Sequence, residues 1–184
     1  IYPSTYYVDA DGDGYGSNPG LTTQGTSSIV FTADGLVING SNVANPDGSM
    51  NVQGAASFTV PADGVYTFDW SYVTTDVDGP GYDPAYYING VPVQLTNDQG
   101  ADNQNGSVSV AVTAGSTFGF SVVAEDNILG QATLTITNFN GIANFVGLQA
   151  CTQPVGYVTN NDDCNDSNSA VNPGVAEICN SIDD

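Results

Sequence analysis

Short runs of β-branched and aromatic residues recur at intervals of about ten positions between residues 21 and 148, and turn residues separate them. Within the runs apolar and polar positions alternate, and the periodicity of an amphipathic helix is absent. The pattern predicts strands at residues 6–8, 28–33, 36–38, 55–60, 65–73, 85–88, 91–95, 108–112, 117–123, 131–138 and 142–148. Roughly nine or ten strands in the central stretch predict an all-β fold, an antiparallel β-sandwich of two packed sheets.

Turn residues predict how some of these strands connect. Residues 61–64 (Pro-Ala-Asp-Gly) predict that Ala55–Val60 and Val65–Val73 form a hairpin. Asn89 and Gly90 predict a type I′ turn between the two strands that follow. Pro92 places the second of those strands at a sheet edge, because proline has no N–H to give to a ladder.

The charge of the chain narrows the classes of partner. There are 18 Asp and two Glu but no Lys, Arg or His, which gives a formal net charge of −20. Without cationic side chains the chain cannot contact a phosphate backbone or an anionic membrane surface. No apolar run is long enough to span a bilayer, and membrane insertion is not expected.

The same composition removes the commonest catalytic groups, a His base, a Lys nucleophile and an Arg clamp. A paired-carboxylate glycosidase or a metal-assisted hydrolase is what remains, and neither Glu sits in a convincing pair. We therefore expect no enzyme. Each buried or clustered carboxylate must be hydrated, hydrogen-bonded or bound to a cation from solution, which favours Ca²⁺. A halophilic surface is an alternative explanation of the acidity.

The segment from Asp9 to Gly16 reads DADGDGYG, and its alternate carboxylates are typical of a loop that folds around one cation. Asp9, Asp11 and Asp13 would supply side-chain oxygens, and Tyr15 would supply its carbonyl. The twelfth position, where an EF-hand has Glu, is a glycine, so the last ligand must come from elsewhere. A solvated turn is the alternative.

A second acidic cluster lies near the C-terminal end, and a third lies within the predicted sandwich. The C-terminal candidates for metal ligands are Asp162, Asp163, Asn165, Asp166, Glu177 and Asp183. The candidates in the sandwich are Asp76, Asp78, Asp83 and Asp126. The latter follow predicted core strands, so they form a second Ca²⁺ site if their two loops share one end of the sandwich. Two solvated loops are the alternative.

YYVDADGDGYG and CTQPVGYVTNNDDCNDSNSAVNPGVAEICNSIDD resemble the MopE-like metal-binding repeat of large bacterial surface and secreted proteins, which is similar in style to thrombospondin type 3 calcium repeats. The resemblance covers residues 5–17 and 150–184. It implies that residues 1–20 and 149–184 form one loop-rich calcium-binding module, into which the sandwich of residues 21–148 is inserted. It also implies a Cys151–Cys164 disulfide and leaves Cys179 without its mate. Copper is not expected, since its sites favour imidazole and sulfur ligands.

Residues 58–95 also resemble a jelly-roll domain of bacterial surface proteins, which makes the expected sandwich jelly-roll-like. These features favour an extracellular, calcium-stabilised structural or adhesive module of a surface fibre, sheath or large adhesin, with more than one ion. Its partners would be copies of itself or neighbouring repeats, joined by strand addition through Ile1–Val8 or an exposed sandwich edge. The alternative is a calcium-dependent carbohydrate-binding module of a secreted protein. Its candidate stacking rings are Trp70, Tyr72, Tyr82, Tyr86 and Tyr87.

Overall fold

The structure is a computed structural model that describes residues 4–9, 12, 14–16, 19–42, 50–150, 153, 156–162, 168–170 and 173–174. The elements in these residues are β1 (Ser4–Val8), β2 (Gly20–Thr23), β3 (Ser28–Phe31), β4 (Leu36–Asn39), β5 (Val52–Thr59), β6 (Gly64–Thr74), β7 (Ala85–Asn89), β8 (Val91–Gln94), β9 (Asn103–Val112), β10 (Thr117–Ala124), β11 (Ala132–Thr137), α1 (Ala143–Val146), β12 (Leu148–Ala150) and β13 (Tyr157–Val158). No helix in the described residues is both long and apolar enough to cross a membrane.

Two five-stranded antiparallel sheets form a sandwich, with strand orders β2-β5-β10-β7-β8 and β3-β4-β11-β6-β9. Without the outer strands β2 and β3, the remaining eight strands have the order of a jelly roll. Successive strands cross between the sheets, except that β7 and β8 pair within one sheet. The predicted fold class, an antiparallel jelly-roll-like β-sandwich, is confirmed.

Alternation along the strands builds the core between the sheets. On β6, Phe68 and Tyr72 point inward and are almost fully buried. The Phe68 ring lies 4.9 Å from Phe120 of β10, at an interplanar angle of 86°. Phe139 and Phe145, which follow β11, close one end of the core. Such edge-to-face contacts add to the free energy gained by burying large rings.

The predicted hairpin between residues 55–60 and 65–73 is wrong. β5 pairs with β2 and β10, whereas β6 pairs with β11 and β9 in the other sheet. Residues 60–63 therefore cross from one sheet to the other, and Phe58 meets Tyr66 through the core at 5.9 Å between ring centroids. A turn sequence marks a reversal of the chain, but it does not distinguish a hairpin from a crossing between sheets.

Three further local predictions need correction. The β7–β8 hairpin forms with Pro92 on an edge strand, as predicted, but only Gly90 has a positive φ (72°) where a type I′ turn needs two. The predicted strand at 142–148 is instead the helical turn α1 followed by β12. The short strands β2 and β13 were not predicted. β2 is exposed along its whole length and β13 is very short, so neither shows a clear alternation of apolar and polar residues.

The two ends of the described chain meet in a separate three-stranded sheet with the order β12-β1-β13. Tyr6 of β1 pairs with Leu148, and Val8 pairs with Tyr157. β1 is therefore the central strand of this sheet. The expectation that Ile1–Val8 is free to pair with a neighbouring molecule does not fit this placement for residues 4–8. The domain boundaries at residues 20 and 149 stay a prediction.

Candidate metal centre

The end of β6 and the loop after it hold two buried carboxylates. Tyr72 on β6 donates its hydroxyl to the carbonyl oxygen of Asp83 at 2.9 Å. Thr74 donates its hydroxyl to Oδ2 of Asp83 at 3.2 Å. These two bonds hold Asp83 against the core, where 1% of its surface is exposed.

Asp76 lies in the same loop and is 4% exposed. Its backbone N–H donates to the Thr74 hydroxyl at 3.0 Å, and its Oδ1 accepts the N–H of Asp78 at 2.7 Å. Its other carboxylate oxygen, Oδ2, is buried and has no hydrogen-bond partner. A buried carboxylate oxygen without a donor is strongly unfavourable, so this atom is where a cation is most needed.

A second loop, from Glu125 to Gln131, packs against the first. The Glu125 N–H donates to the carbonyl of Tyr82 at 2.7 Å. Gly130 lies so close to Asp76 that a Cβ built on it would be 2.1 Å from the Asp76 Cα. Asn127 and Leu129 both have positive φ, at 57° and 69°. Backbone held in this region by residues other than glycine is a recurring feature of functional sites.

The pKa values of both buried carboxyls are raised. Burial is the main cause for Asp83, and the negative charge of Asp76 adds to it, so that the pKa of Asp83 reaches about 7. Burial also raises the pKa of Asp76, against the opposing hydrogen bond from Asp78. Asp126 contributes a further negative charge to both groups. The pair therefore requires a proton or a metal cation at neutral pH.

The structure buries Asp76 and Asp83 in one loop, whereas neither of the other two predicted ligands is buried. Asp78 is exposed. Oδ1 of Asp126 accepts the N–H of Ile128 at 3.1 Å. Within the described residues no three acidic, Cys or His side chains are grouped closely enough to hold a metal. A cation here would be held by two carboxylates and completed by neutral oxygens, a donor set that suits a hard ion such as Ca²⁺.

The N-terminal acidic loop is described at Asp9, Gly12 and residues 14–16. Oδ1 of Asp9 accepts the N–H of Gly12 at 2.7 Å, and Oδ2 accepts the N–H of Gly14 at 3.2 Å. Both glycines have positive φ, which lets the loop turn around the carboxylate. Tyr15 and Asp162 are half-buried and exposed, respectively, and both have interactions within the fold.

Asn160 joins this loop to the C-terminal segment. Its Nδ2 donates to the carbonyl of Gly14 and its Oδ1 accepts the N–H of Gly16, both at 3.1 Å. The structure thus brings the C-terminal segment to the predicted loop. The remaining predicted ligands and all three cysteines lie outside the described residues: Asp11, Asp13, Asp163, Asn165, Asp166, Glu177, Asp183, Cys151, Cys164 and Cys179.

Sequence reasoning missed Thr74 and Asn160, and it did not predict that Asn127, in the loop of Asp126, is buried. Thr74 is at an inward position of β6, and its neighbours Tyr72 and Asp76 are a signal that this strand end is polar. Asn127 is 1% exposed, although its neighbours along the chain look like a solvated loop. Nothing in the local pattern distinguishes Asn160 from Asn161, because its partners lie at the other end of the chain.

A depression of about 340 Å³ lies on the outer face of the β6–β9 pair, lined by Thr67, Phe68, Asp69, Ser107, Val108, Ser109 and Asn138. The Ser107 hydroxyl donates to Oδ1 of Asp69, and Asn138 donates to Oδ2 at 2.7 Å. Among the candidate stacking rings, Tyr72 is buried, and Trp70 and Tyr87 pack against the core. Tyr82 is exposed and Tyr86 is half-buried.

A metal-binding motif is present at the C-terminal end. The family Cu-binding_MopE, described as "Putative metal-binding motif", matches residues 163–184. Five of the predicted ligands fall in this segment: Asp163, Asn165, Asp166, Glu177 and Asp183. The match confirms the MopE-like resemblance over residues 163–184. Its extension to residues 5–17 and 150–162, and the thrombospondin-like similarity, stay predictions.

Among curated proteins none matches this sequence. Among solved structures, a mutant of a family 29 carbohydrate-binding module complexed with cellulohexaose is 12% identical (TM-score 0.33; 76% of this chain and 90% of that chain covered). A family 35 carbohydrate-binding module from Clostridium thermocellum is 17% identical (TM-score 0.28; 74% and 98%). A module from Cellvibrio mixtus lichenase 5A, in complex with cellotriose, is 12% identical (TM-score 0.30; 74% and 98%). Likeness at this level says nothing about what this chain binds.

Proposed function

We propose that this chain is a calcium-stabilised structural module of an extracellular assembly, such as a surface fibre, sheath or adhesin, with no catalytic role. The observation that carries the proposal is the buried, partnerless Oδ2 of Asp76 beside Asp83. In most proteins a Lys or Arg would pair with such a group, and this chain has neither. An external cation is then the available counter-charge.

Calcium fits the donors better than a transition metal does. The described residues around the pair offer oxygen atoms, from carboxylates, the Thr74 hydroxyl and backbone carbonyls. Ca²⁺ prefers such hard ligands and accepts irregular geometry, whereas copper and zinc favour imidazole and thiolate. The bound ion would lock the loop after β6 to the loop after β10. It would therefore stiffen one end of the sandwich, a mechanical role that suits a structural subunit.

Thermal unfolding in calcium and in a calcium chelator tests the metal centre. A ligand that binds only the folded state stabilises it by about 2.7 kcal/mol when its free concentration is 100 times Kd. The wild-type Tm should therefore fall in chelator. The Tm of Asp83→Asn should fall less in chelator than that of wild type, because the variant lacks the stabilisation that a cation at Asp76 and Asp83 would supply. In chelator Asp83→Asn should be at least as stable as wild type, because it removes an uncompensated buried charge.

Asp63→Asn is the matched control, since it removes one exposed carboxylate just before the start of β6, at the opposite end of that strand from Thr74. This variant should respond to chelator as wild type does. A wild-type Tm that is the same in calcium and chelator would overturn the proposed metal role. If the Tm of Asp83→Asn fell in chelator as much as that of wild type, Asp76 and Asp83 would have no part in the metal role.

The depression on the outer face of β6 and β9 favours one second candidate, a carbohydrate-binding module. Asp69, Ser107 and Asn138 combine acceptors and donors at one place, and sugars are recognised through such polar groups. A glycan array with wild type and Asp69→Ala would test it. A glycan bound by wild type and lost in the variant supports binding at this depression. Absence of binding to any glycan would leave the structural role alone.

A further inference from the structure

β9 is a ten-residue strand at the edge of its sheet. It pairs with β6 in one uninterrupted register, from Gly64 opposite Val112 to Val73 opposite Asn103. No bulge interrupts this ladder, and the strand contains neither proline nor any charged residue. Soluble proteins commonly protect long edges with bulges, proline or charged residues, because an unprotected edge is a template for another strand.

The other three edges of the sandwich differ from β9. β2, β3 and β8 have four residues each, and β8 contains Pro92. Within the described part of the chain, β9 therefore offers the longest continuous ladder. An occupant that uses its full length needs a strand of equal length and similar regularity.

On one side of β9 the backbone N–H and C=O groups point away from β6. The carbonyl of Asp102 accepts the N–H of Thr74 at 2.9 Å, so residue 102 points toward β6. Because strand groups alternate in direction, Asn103, Asn105, Ser107 and Ser109 point their N–H and C=O groups away from β6. No described residue bonds these groups. The same alternation sends Ala111 outward, and its carbonyl accepts Nδ2 of Asn89 at 3.1 Å, which marks where the open ladder ends.

We propose that a second copy of the chain docks on this edge through its own β9, antiparallel about a two-fold axis. The pairing would join two five-stranded sheets into one continuous sheet. A second copy fits because it supplies an edge of identical length, and an isologous contact places each open N–H opposite an open C=O. No residue of β9 itself is charged. The carboxylate nearest to the seam is Asp69 of β6, which accepts the Ser107 hydroxyl. The half-buried Val108 and Val110 would gain further cover.

This interface rests on the proposed function, because it identifies the partner in the assembly as a second copy of the chain. It does not involve the metal centre. The β9 interface and the calcium role can therefore be disproved independently. Association is measured by sedimentation equilibrium on the full chain, in calcium and in chelator below the unfolding temperature. A reversible dimer in both conditions supports the proposal. A monomer at every concentration up to the millimolar range overturns it, whatever the Tm shows about calcium.

Ser107→Pro is the sharpest variant, because proline removes an N–H that points away from β6 and leaves the β6–β9 ladder intact. Two-fold symmetry repeats the change in both strands, so the dimer Kd should rise by about tenfold or more. Ser107→Asp is the second variant, and it should weaken the dimer because it places a carboxylate from each copy at the seam. Thr135→Asp adds the same charge to the same face on β11, two strands away, and should dimerise as wild type does. Wild-type Kd values in both Ser107 variants would overturn the proposal.

Hydrogen exchange resolved by residue gives an independent readout. In the monomer the amides of residues 104, 106, 108 and 110 should be protected by β6, while those of 105, 107 and 109 exchange fast. In the dimer the second set should become protected as the protein concentration rises. Dimers that leave this second set unprotected, or that protect β2, β3 or β8 instead, would exclude β9 pairing.

Discussion

Asn160 bonds Gly16 across 144 residues of sequence, with its Oδ1 accepting the glycine N–H at 3.1 Å. The same amide donates to the carbonyl of Gly14 at 3.1 Å. One side chain from the C-terminal segment therefore satisfies two backbone groups of the N-terminal acidic loop. Because of these two bonds, the shape of the loop that contains Asp9, Asp11 and Asp13 depends on a residue far away in the sequence.

Replacing Asn160 with alanine should loosen the N-terminal loop. Two hydrogen bonds are lost, and each contributes about 0.5–1.5 kcal/mol to stability. We expect Asn160→Ala to lower the free energy of unfolding by about 1–3 kcal/mol and to speed hydrogen exchange at Gly16. Thr159→Ala, at the exposed neighbouring position, is the control and should be near neutral. Unchanged exchange at Gly16 would contradict a supporting role for Asn160.

Gly130 has no room for a side chain, because a Cβ would lie 2.1 Å from both Cα and N of Asp76. Gly130→Ala should push the two loops of the metal centre apart and destabilise the fold by about 1–3 kcal/mol, as overpacking does. It should also reduce the calcium-dependent part of the Tm. Gly64→Ala is the matched control, since no atom lies within 4 Å of a Cβ there. Urea unfolding with and without chelator measures both effects, and equal behaviour of the two variants would count against the close approach.

Leu129 combines a φ of 69° with a side chain that is 52% exposed. The left-handed region costs a leucine about 1–2 kcal/mol, and asparagine tolerates it better. Leu129→Asn should therefore leave the free energy of unfolding unchanged or raise it by up to about 1 kcal/mol. Ile128→Asn, in the same loop without a positive φ, should bring no such gain. A loss of stability in Leu129→Asn that exceeds the loss in Ile128→Asn would refute the strain at this position.

Asp69 should make stability depend on acid pH. The Ser107 hydroxyl and the Asn138 amide stabilise its carboxylate and hold the pKa of Asp69 below its usual value. Folding then favours the ionised form, so the contribution is present above the unfolded pKa of about 3.9 and is lost as the pH falls through the lower folded value. Asp69→Asn should be less stable than wild type at pH 7, with a gap that narrows in acid. Urea unfolding at several pH values measures the gap, and Asp102→Asn controls for the loss of one charge. A gap that does not change with pH would contradict the prediction.

The sandwich was predictable because alternation is a local property. In the middle of β6 and β10 large apolar residues recur at every second position, and this places Phe68 and Phe120 in the core. The crossings between sheets were not predictable in this way, since Pro61 and Gly64 permit a hairpin equally well. The choice depends on Phe58 meeting Tyr66 through the core, which is a contact between sheets.

The acidic loop that carries the proposed metal centre was predictable in part for the same reason. Asp76 and Asp83 follow a core strand, and the sequence indicates that their loop is acidic. The sequence does not indicate that Tyr72 and Thr74 draw Asp83 into the interior, or that Gly130 covers Asp76. Those contacts separate the buried pair from Asp78, which is exposed although it belongs to the same acidic run.

The position of β1 has a consequence during synthesis. Its two neighbours, β12 and β13, begin at Leu148 and Tyr157, so the strand is made long before either exists. At typical ribosomal rates the delay is on the order of ten seconds. Through that interval β1 cannot complete its sheet, because both of the strands that pair with it are missing.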